Sequence, residues 1–271
     1  MSERLYRLQS ETRVFYAVER NGVLSEIDGD VFGTWRPGAP IAGGLDTFKV
    51  LAPVVPSKIV AVGLNYRDHA AEQGKPAPDR PMLFAKARTS VAGPAEALRI
   101  LPSQGKVDWE VELCLVVGRP GFRVPRGRAR EHLLGYTVAI DVSDREAQQA
   151  DKQFYRAKSY PGFCPLGPAV VTPDEVDAGA LALETRVNGA LVQAGNTRDM
   201  VFPPDRIVEY VSHVAPLEAG DLILTGTPAG VGVFRDPPVF LKPGDRLRCE
   251  IAGIGAIDIA VEASDGAAAP G

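Results

Sequence analysis

Two Asn-Gly pairs, Asn21-Gly22 and Asn188-Gly189, constrain this chain more than any other feature. Each separates two short runs rich in apolar residues: 14–19 and 23–27 around the first, 181–187 and 191–194 around the second. Asn-Gly accepts the positive φ angles of a type I′ turn, whose twist matches that of the strands it joins, so both segments are predicted β-hairpins. Further strands are predicted at 58–63, 109–117, 136–140, 221–225, 246–251 and 257–261. Helical patterns cover 65–73, 144–151 and 205–214, the last introduced by Pro203-Pro204, which a helix start tolerates. Many short strands and few helices predict an α+β, mainly β fold rather than a doubly wound sheet. A Pro/Gly-rich stretch at 37–44 and the segment running to Pro56 mark a boundary. The reading is a small β-rich N-terminal domain at 1–55, a main domain at 56–262, and a flexible tail at 263–271. With 271 residues, 45% of them hydrophobic, the main domain can bury a sizeable core.

Charge and cysteine usage narrow the function. The formal net charge is −4 with the signs mixed, and the densest basic stretch, 119–130, is broken by Pro and Gly and reads as a solvated loop. Nothing forms the clustered basic face that nucleic acid requires. No apolar run is long enough to span a bilayer, and no apolar signal region follows Met1, so a cytoplasmic protein without nucleic-acid or membrane partners is expected. The three cysteines are odd in number and lack ligand spacing, and the three histidines form no His-x3-His pair. Any metal must therefore rest mainly on oxygen, which favours Mg or Mn, with Ca also fitting, over Zn.

Five segments could carry chemistry. In 109–117, Glu110 and Glu112 share one strand face while Val111 and Leu113 point to the core. Alone, the pair reads as solvated carboxylates; the apolar run that follows, Cys114 to Val117, strengthens the alternative that the two line a cavity. Asp141 follows the apolar strand 136–140 and is either a third carboxylate for the same site or a helix N-cap. Three converging carboxylates need a compensating cation. His69 and Glu72, three apart on a helical turn, are either a solvated pair or a carboxylate-oriented general base on a mobile lid. Lys158, in Arg156-Ala-Lys-Ser-Tyr160, is either a surface lysine or a partner for a substrate carboxylate or developing enolate. Thr225-Gly-Thr-Pro-Ala-Gly-Val-Gly232 has neither a Gly-Lys-Ser/Thr ending nor Gly-x-Gly-x-x-Gly, so it is no nucleotide loop; it can touch substrate through Thr227.

In this order, Val62-Gly-Leu-Asn-Tyr-Arg-Asp-His-Ala-Ala-Glu72, Glu110-Val-Glu112, Asp141-Val-Ser143, Cys164-Pro-Leu-Gly-Pro168, Asn196-Thr-Arg-Asp-Met200 and Leu224-Thr-Gly-Thr-Pro-Ala-Gly-Val-Gly232 resemble the fumarylacetoacetate hydrolase superfamily over about 53–261. The resemblance implies a mixed β-roll catalytic domain, usually a homodimer, preceded by a small domain. It implies Glu110, Glu112 and Asp141 as metal ligands, His69 and Glu72 as a water-activating dyad, and Lys158 as the enolate-stabilising lysine. Gln148 and Thr227 match substrate-contacting positions. Where many members read Asn-Asp-x-Ser-Ala-Arg-Asp, Lys-Ser-Phe-Asp and Lys-Pro, this chain has Asp144, Tyr160-Pro161 and Ala87; these departures put Tyr160 at the expected substrate and the usual substrate in question. The expected activity is metal-dependent hydrolysis of a C–C bond in a β-diketo acid of the acylpyruvate or fumarylpyruvate type through a metal-bound enolate. The alternatives are an oxo-acid decarboxylase, an isomerase or hydratase, and a non-catalytic binding protein on the same fold.

Overall fold

The computed structural model describes residues 3–265. The mainly β expectation holds. One curled mixed sheet runs in the order Trp35–Pro40, Val23–Gly29, Val14–Arg20, Glu3–Gln9, Cys164–Val171, Leu133–Ile140, Val111–Val117, Leu222–Leu224, Ile59–Gly63, Met82–Lys86. A second sheet runs Ala190–Asn196, Ala182–Val187, Arg246–Ile251, Gly255–Ala263, Leu98–Ile100. Together they form the β-roll. Both Asn-Gly hairpins are present, with φ of 51° and 78° at Asn21 and Gly22 and 50° and 82° at Asn188 and Gly189.

The central strand Val111–Val117 is buried on both faces. Leu113, Leu115 and Val117 face the second sheet and join Leu183, Leu247 and Ile257 in the main core. Cys114 and Val116 face the other way, into a second core with Ala139, Leu166, Leu222 and Leu224. The alternation that put Glu110 and Glu112 on one face is thus kept along the whole strand.

The N-terminal strand Glu3–Gln9, unforeseen in a polar-looking segment, pairs antiparallel with Cys164–Val171 through Arg4 and Leu5. Leu5, Val18 and Ile27 of the N-terminal strands pack in the same core as Cys114 and Leu166. At the other end, Gly255–Ala263 extends past the expected strand, so Ala263 belongs to the sheet rather than a tail. The Ser264 N–H donates to the Ile100 carbonyl at 2.8 Å, and the last part of the expected tail, 266–271, lies outside the described residues.

Strand directions gather the chemistry at one end of the large sheet. Leu222–Leu224 and Ile59–Gly63 are parallel, so the loop after the first and the helix after the second leave from the same end. Val111–Val117 is antiparallel to Leu222–Leu224 and therefore begins there, with Glu110 and Glu112. Leu133–Ile140 is antiparallel to Val111–Val117 and ends there, with Asp141. Cys164–Val171 starts there too, so the short helix Tyr155–Lys158 just before it delivers Lys158.

A candidate metal and oxo-acid site

Glu110, Glu112 and Asp141 are buried, and each offers an oxygen within 4.8 Å of the others. Their convergence follows from register. Val111 pairs with Ile140 and Glu112 with Ala139, so Asp141 lies across from Glu110, and its N–H donates to the Glu110 carbonyl at 2.9 Å. The N-cap alternative for Asp141 falls to Asp144 instead. The Asp144 carboxylate accepts from the N–H groups of Glu146 and Ala147 and caps the helix Arg145–Asp151.

Cations surround the carboxylates. Lys158 Nζ donates to Glu110 Oε2 at 2.8 Å and to Asp141 Oδ2 at 2.6 Å. Lys86, fully buried, donates to Asp141 Oδ1 and to the Phe163 carbonyl. Arg145 bridges Glu110 and the buried Asp108, and its third nitrogen donates to Gln148 Oε1 at 2.9 Å. Burial alone would raise Glu110, but the charges of Lys158 and Arg145 outweigh it and hold the carboxyl at about 2. Among the described residues no cation pairs directly with Glu112: burial, then Asp141 and Glu110, push it well above the ordinary range, against the lesser pull of the Lys158 charge and the Gly226 N–H. Burial would lower Lys158, yet Asp141 and Glu110 keep it above the usual lysine value, so its ammonium stays charged. With every group ionised, the four carboxylates outnumber the three cations by one charge.

That surplus sits on Glu112, where a proton or a bound cation must neutralise it. The donor set is all carboxylate oxygen, so the residues fit a hard divalent ion rather than a thiophilic one. A divalent ion would turn the surplus positive, which favours an anionic substrate.

His69 and Glu72 are brought together as expected, on the helix Arg67–Glu72. His69 Nδ1 lies 2.8 Å from Glu72 Oε2. A carboxylate only accepts, so Nδ1 carries the hydrogen and Nε2 is the basic nitrogen. Gln73 Nε2 lies 2.9 Å from that nitrogen, and Lys75 donates to Gln73 Oε1 and so fixes which end of the amide faces His69. The Gly230 N–H donates to Glu72 Oε1 at 2.9 Å, closing the helix against the loop after Leu222–Leu224. Asn65 pins the other end, donating to the carbonyls of Phe202 and Thr225.

A cavity of about 840 Å³ contains His69, Glu110, Glu112, Asp141, Lys158, Gln148 and Thr227 on its walls. Its remaining wall is largely apolar, built from Met82, Phe84, Phe154, Phe234 and Phe240. The structure does not bring Tyr160 there. Its ring packs 5.2 Å from that of Phe163, and it lines a different cavity with Thr89 and Arg99. Ala87, Asp144 and Pro161 also stand off the main cavity: Ala87 meets Ser159 through its N–H, Pro161 is exposed, and Asp144 caps its helix. None of these four departures from the family pattern contributes to the cavity lining.

Sequence reasoning passed over Arg145, Lys86 and Asp108. Arg145 stood inside a quoted motif and Lys86 beside a noted departure, but neither had a local signal separating it from a surface cation. Asp108 accepts from the N–H groups of Trp109, Gly232 and Val233 as well as from Arg145, contacts that no spacing encodes.

Comparison with known proteins agrees with this geometry. The profile of the fumarylacetoacetate hydrolase C-terminal domain matches residues 58–262. A mitochondrial oxaloacetate tautomerase of Xenopus laevis is 48% identical over 212 residues, which are 77% of this chain and 66% of that protein. The chain thus spans about two thirds of the length of that relative. A 2-hydroxyhepta-2,4-diene-1,7-dioate isomerase of Mycobacterium marinum superposes with a TM-score of 0.86 at 37% identity, covering 97% of this chain and 100% of the other. A fumarylacetoacetate hydrolase of Exiguobacterium antarcticum gives a TM-score of 0.87 at 33% identity, again covering 97% and 100%. With the profile spanning most of the chain and the carboxylate triad lining one cavity, the protein belongs to the fumarylacetoacetate hydrolase superfamily and is a metal-dependent enzyme of that superfamily.

Proposed function

We propose that the protein interconverts the keto and enol forms of a small 2-oxo acid of the oxaloacetate type. The observation that carries this is the oriented imidazole: a basic His69 Nε2, fixed by Glu72, on the cavity that also holds the carboxylate triad and a charged Lys158. Tautomerisation needs a base for the hydrogen on C3 and a cationic environment for the charge that develops on the C2 oxygen. A divalent ion on Glu110, Glu112 and Asp141 would act as a Lewis acid toward the oxo-acid end. Once Gln73 gives up its hydrogen bond to Nε2, His69 takes the C3 proton as the C2–C3 double bond forms and passes that proton to the C2 oxygen to give the enol; the reverse sequence returns the ketone. Lys158 holds positive charge where the oxygen becomes negative. Arg145 and Gln148 supply donors to a carboxylate at the same wall. The 48% identity to an oxaloacetate tautomerase supports this reading over one that needs water.

C–C hydrolysis of a β-diketo acid is the second reading, and the cavity favours it. An apolar wall and about 840 Å³ exceed what a four-carbon diacid fills, and would house an acyl arm. There His69 would take a proton from water, the resulting hydroxide would add to the distal carbonyl, and the C–C bond would break to release an enolate. Following the enol absorbance of oxaloacetate with the Mg- or Mn-loaded protein, together with product mass, separates the readings. Faster loss of enol with unchanged mass supports tautomerisation. No acceleration over buffer overturns it, and water added to an acylpyruvate establishes the hydrolase.

A further inference from the structure

Gln193, on the strand Ala190–Asn196, is buried and has no part in the chemistry above. It sits between two pieces of the site. Its Oε1 accepts from the Val111 N–H at 3.2 Å and from Thr185 Oγ1 at 2.8 Å. Its Nε2 donates to Thr227 Oγ1 and to the Pro228 carbonyl, both at 2.9 Å. A backbone N–H can only donate and a carbonyl can only accept, so Val111 and Pro228 leave the amide a single orientation. Nε2 therefore carries the hydrogens, and Thr227 Oγ1 must accept. The hydroxyl has one proton of its own, and among the described residues that proton meets no acceptor. Thr227 lines the cavity, next to the Gly226 N–H that holds Glu112.

We propose that Gln193 is a positioning residue that makes Thr227 an obligate hydrogen-bond donor to an anionic oxygen in the cavity; the identity of that oxygen, the carboxylate of the oxo acid, rests on the reading above. The same amide ties this donor to the strand that carries the metal ligands, because Val111 lies between Glu110 and Glu112. Donor and ligands are thereby held in one register, which is how buried partners tune a site they do not touch.

Gln193→Glu isolates the effect. One carboxyl oxygen still accepts from Val111 and Thr185. The other now faces Thr227 and Pro228; ionised it only accepts, and protonated its single hydrogen goes to the Pro228 carbonyl. In both states Thr227 turns to donate to residue 193 and is lost to the ligand. With the Mg-loaded protein and oxalate as probe, Gln193→Glu and Thr227→Val should each weaken oxalate binding about tenfold, the worth of one hydrogen bond to a charged group. The double variant should lose no more than either alone, Thr227→Ser should bind like the wild type, and Mg affinity without oxalate should not fall. Wild-type oxalate binding by Gln193→Glu, or multiplied losses in the double variant, would overturn the assignment. Should Gln193→Glu fail to fold, a neutron structure of the wild type decides: a Thr227 deuterium directed into the cavity supports the assignment, and one directed at Gln193 refutes it. Oxalate needs no turnover. A wild type that binds oxalate without converting oxaloacetate therefore sinks the tautomerase reading alone, whereas failure of this assignment shows in the variants.

Discussion

Glu112 carries the charge problem of the site. Burial, Asp141 and Glu110 raise its carboxyl, whereas Lys158 and Arg145 hold Glu110 at about 2. Metal binding needs Glu112 ionised, so uptake of Mg should release a proton, with affinity rising as pH rises through its raised value. Calorimetry in buffers of different ionisation enthalpy measures this; uptake without proton release would show that Glu112 is already charged. Stability follows the same logic. In the metal-free protein, Glu112 binds its proton more tightly than in the unfolded chain, so its contribution is present below the ordinary glutamate range and is lost as pH climbs above it. Glu110 acts in the opposite sense, its contribution being lost as pH falls from that range toward about 2. Melting temperature against pH should therefore peak near the ordinary carboxylate range without metal, and saturating Mg should remove the decline above it. Lys86 offers a second test. Lys86→Met leaves one Asp141 oxygen in a buried site without its cation, a change that costs on the order of 3–5 kcal/mol. The loss should be smaller with Mg present, because the ion replaces the missing charge; thermal melts of the variant with Mg and with chelator check this.

At the scale of elements, the short helix Arg67–Glu72 is held by its ends. Asn65 anchors its start, and Glu72 is anchored through Gly230 on the loop after Leu222–Leu224. Gly230 has φ of 101°, and a Cβ there would lie 2.2 Å from the Val192 carbonyl. Gly230→Ala should therefore displace the loop, release Glu72 and leave His69 poorly oriented. A misplacement of about 1 Å costs roughly 10²-fold in rate, so turnover should fall by about that factor while Mg binding persists. Kinetics beside Mg titration would test it, and full activity would show that the loop does not position the dyad. The pairing of His69 with Glu72 was legible from a spacing of three on a helical turn. Its anchor was not, because 158 residues separate Glu72 from Gly230. Asp141 shows the same limit. Its place after an apolar strand was legible, but only the pairing of Val111 with Ile140 decided between ligand and cap. Tyr160 shows a misleading neighbour: two residues from Lys158, it turns away because Tyr155–Lys158 ends there and the chain bends toward Phe163.

For the whole molecule, the large sheet is continuous from the N-terminal hairpin to Met82–Lys86. Removing residues 1–55 would strip Leu5, Val18 and Ile27 from the core they share with Leu166 and leave Cys164–Val171 with an open edge. Such an edge is a template for association. The truncated chain should aggregate or lose its cooperative melt, which light scattering and calorimetry would reveal; a soluble, metal-binding fragment would establish 56–262 as an independent domain. What the sequence by itself determined were the local facts. Asn-Gly turns made the hairpins, period-two alternation set Glu110 and Glu112 on one face, and the lack of Cys and His pairs left oxygen as the metal's donor. Those rest on chain neighbours, whose geometry is set by backbone sterics. Only the tertiary structure decided which distant groups meet: Lys86 on Asp141, Arg145 between Asp108 and Glu110, Gln193 between Val111 and Thr227, and the aromatic wall of the cavity. The physical reason is that strand direction and register, not spacing along the chain, determine which side chains share a buried volume, and burial is what gives their charges and hydrogen bonds weight.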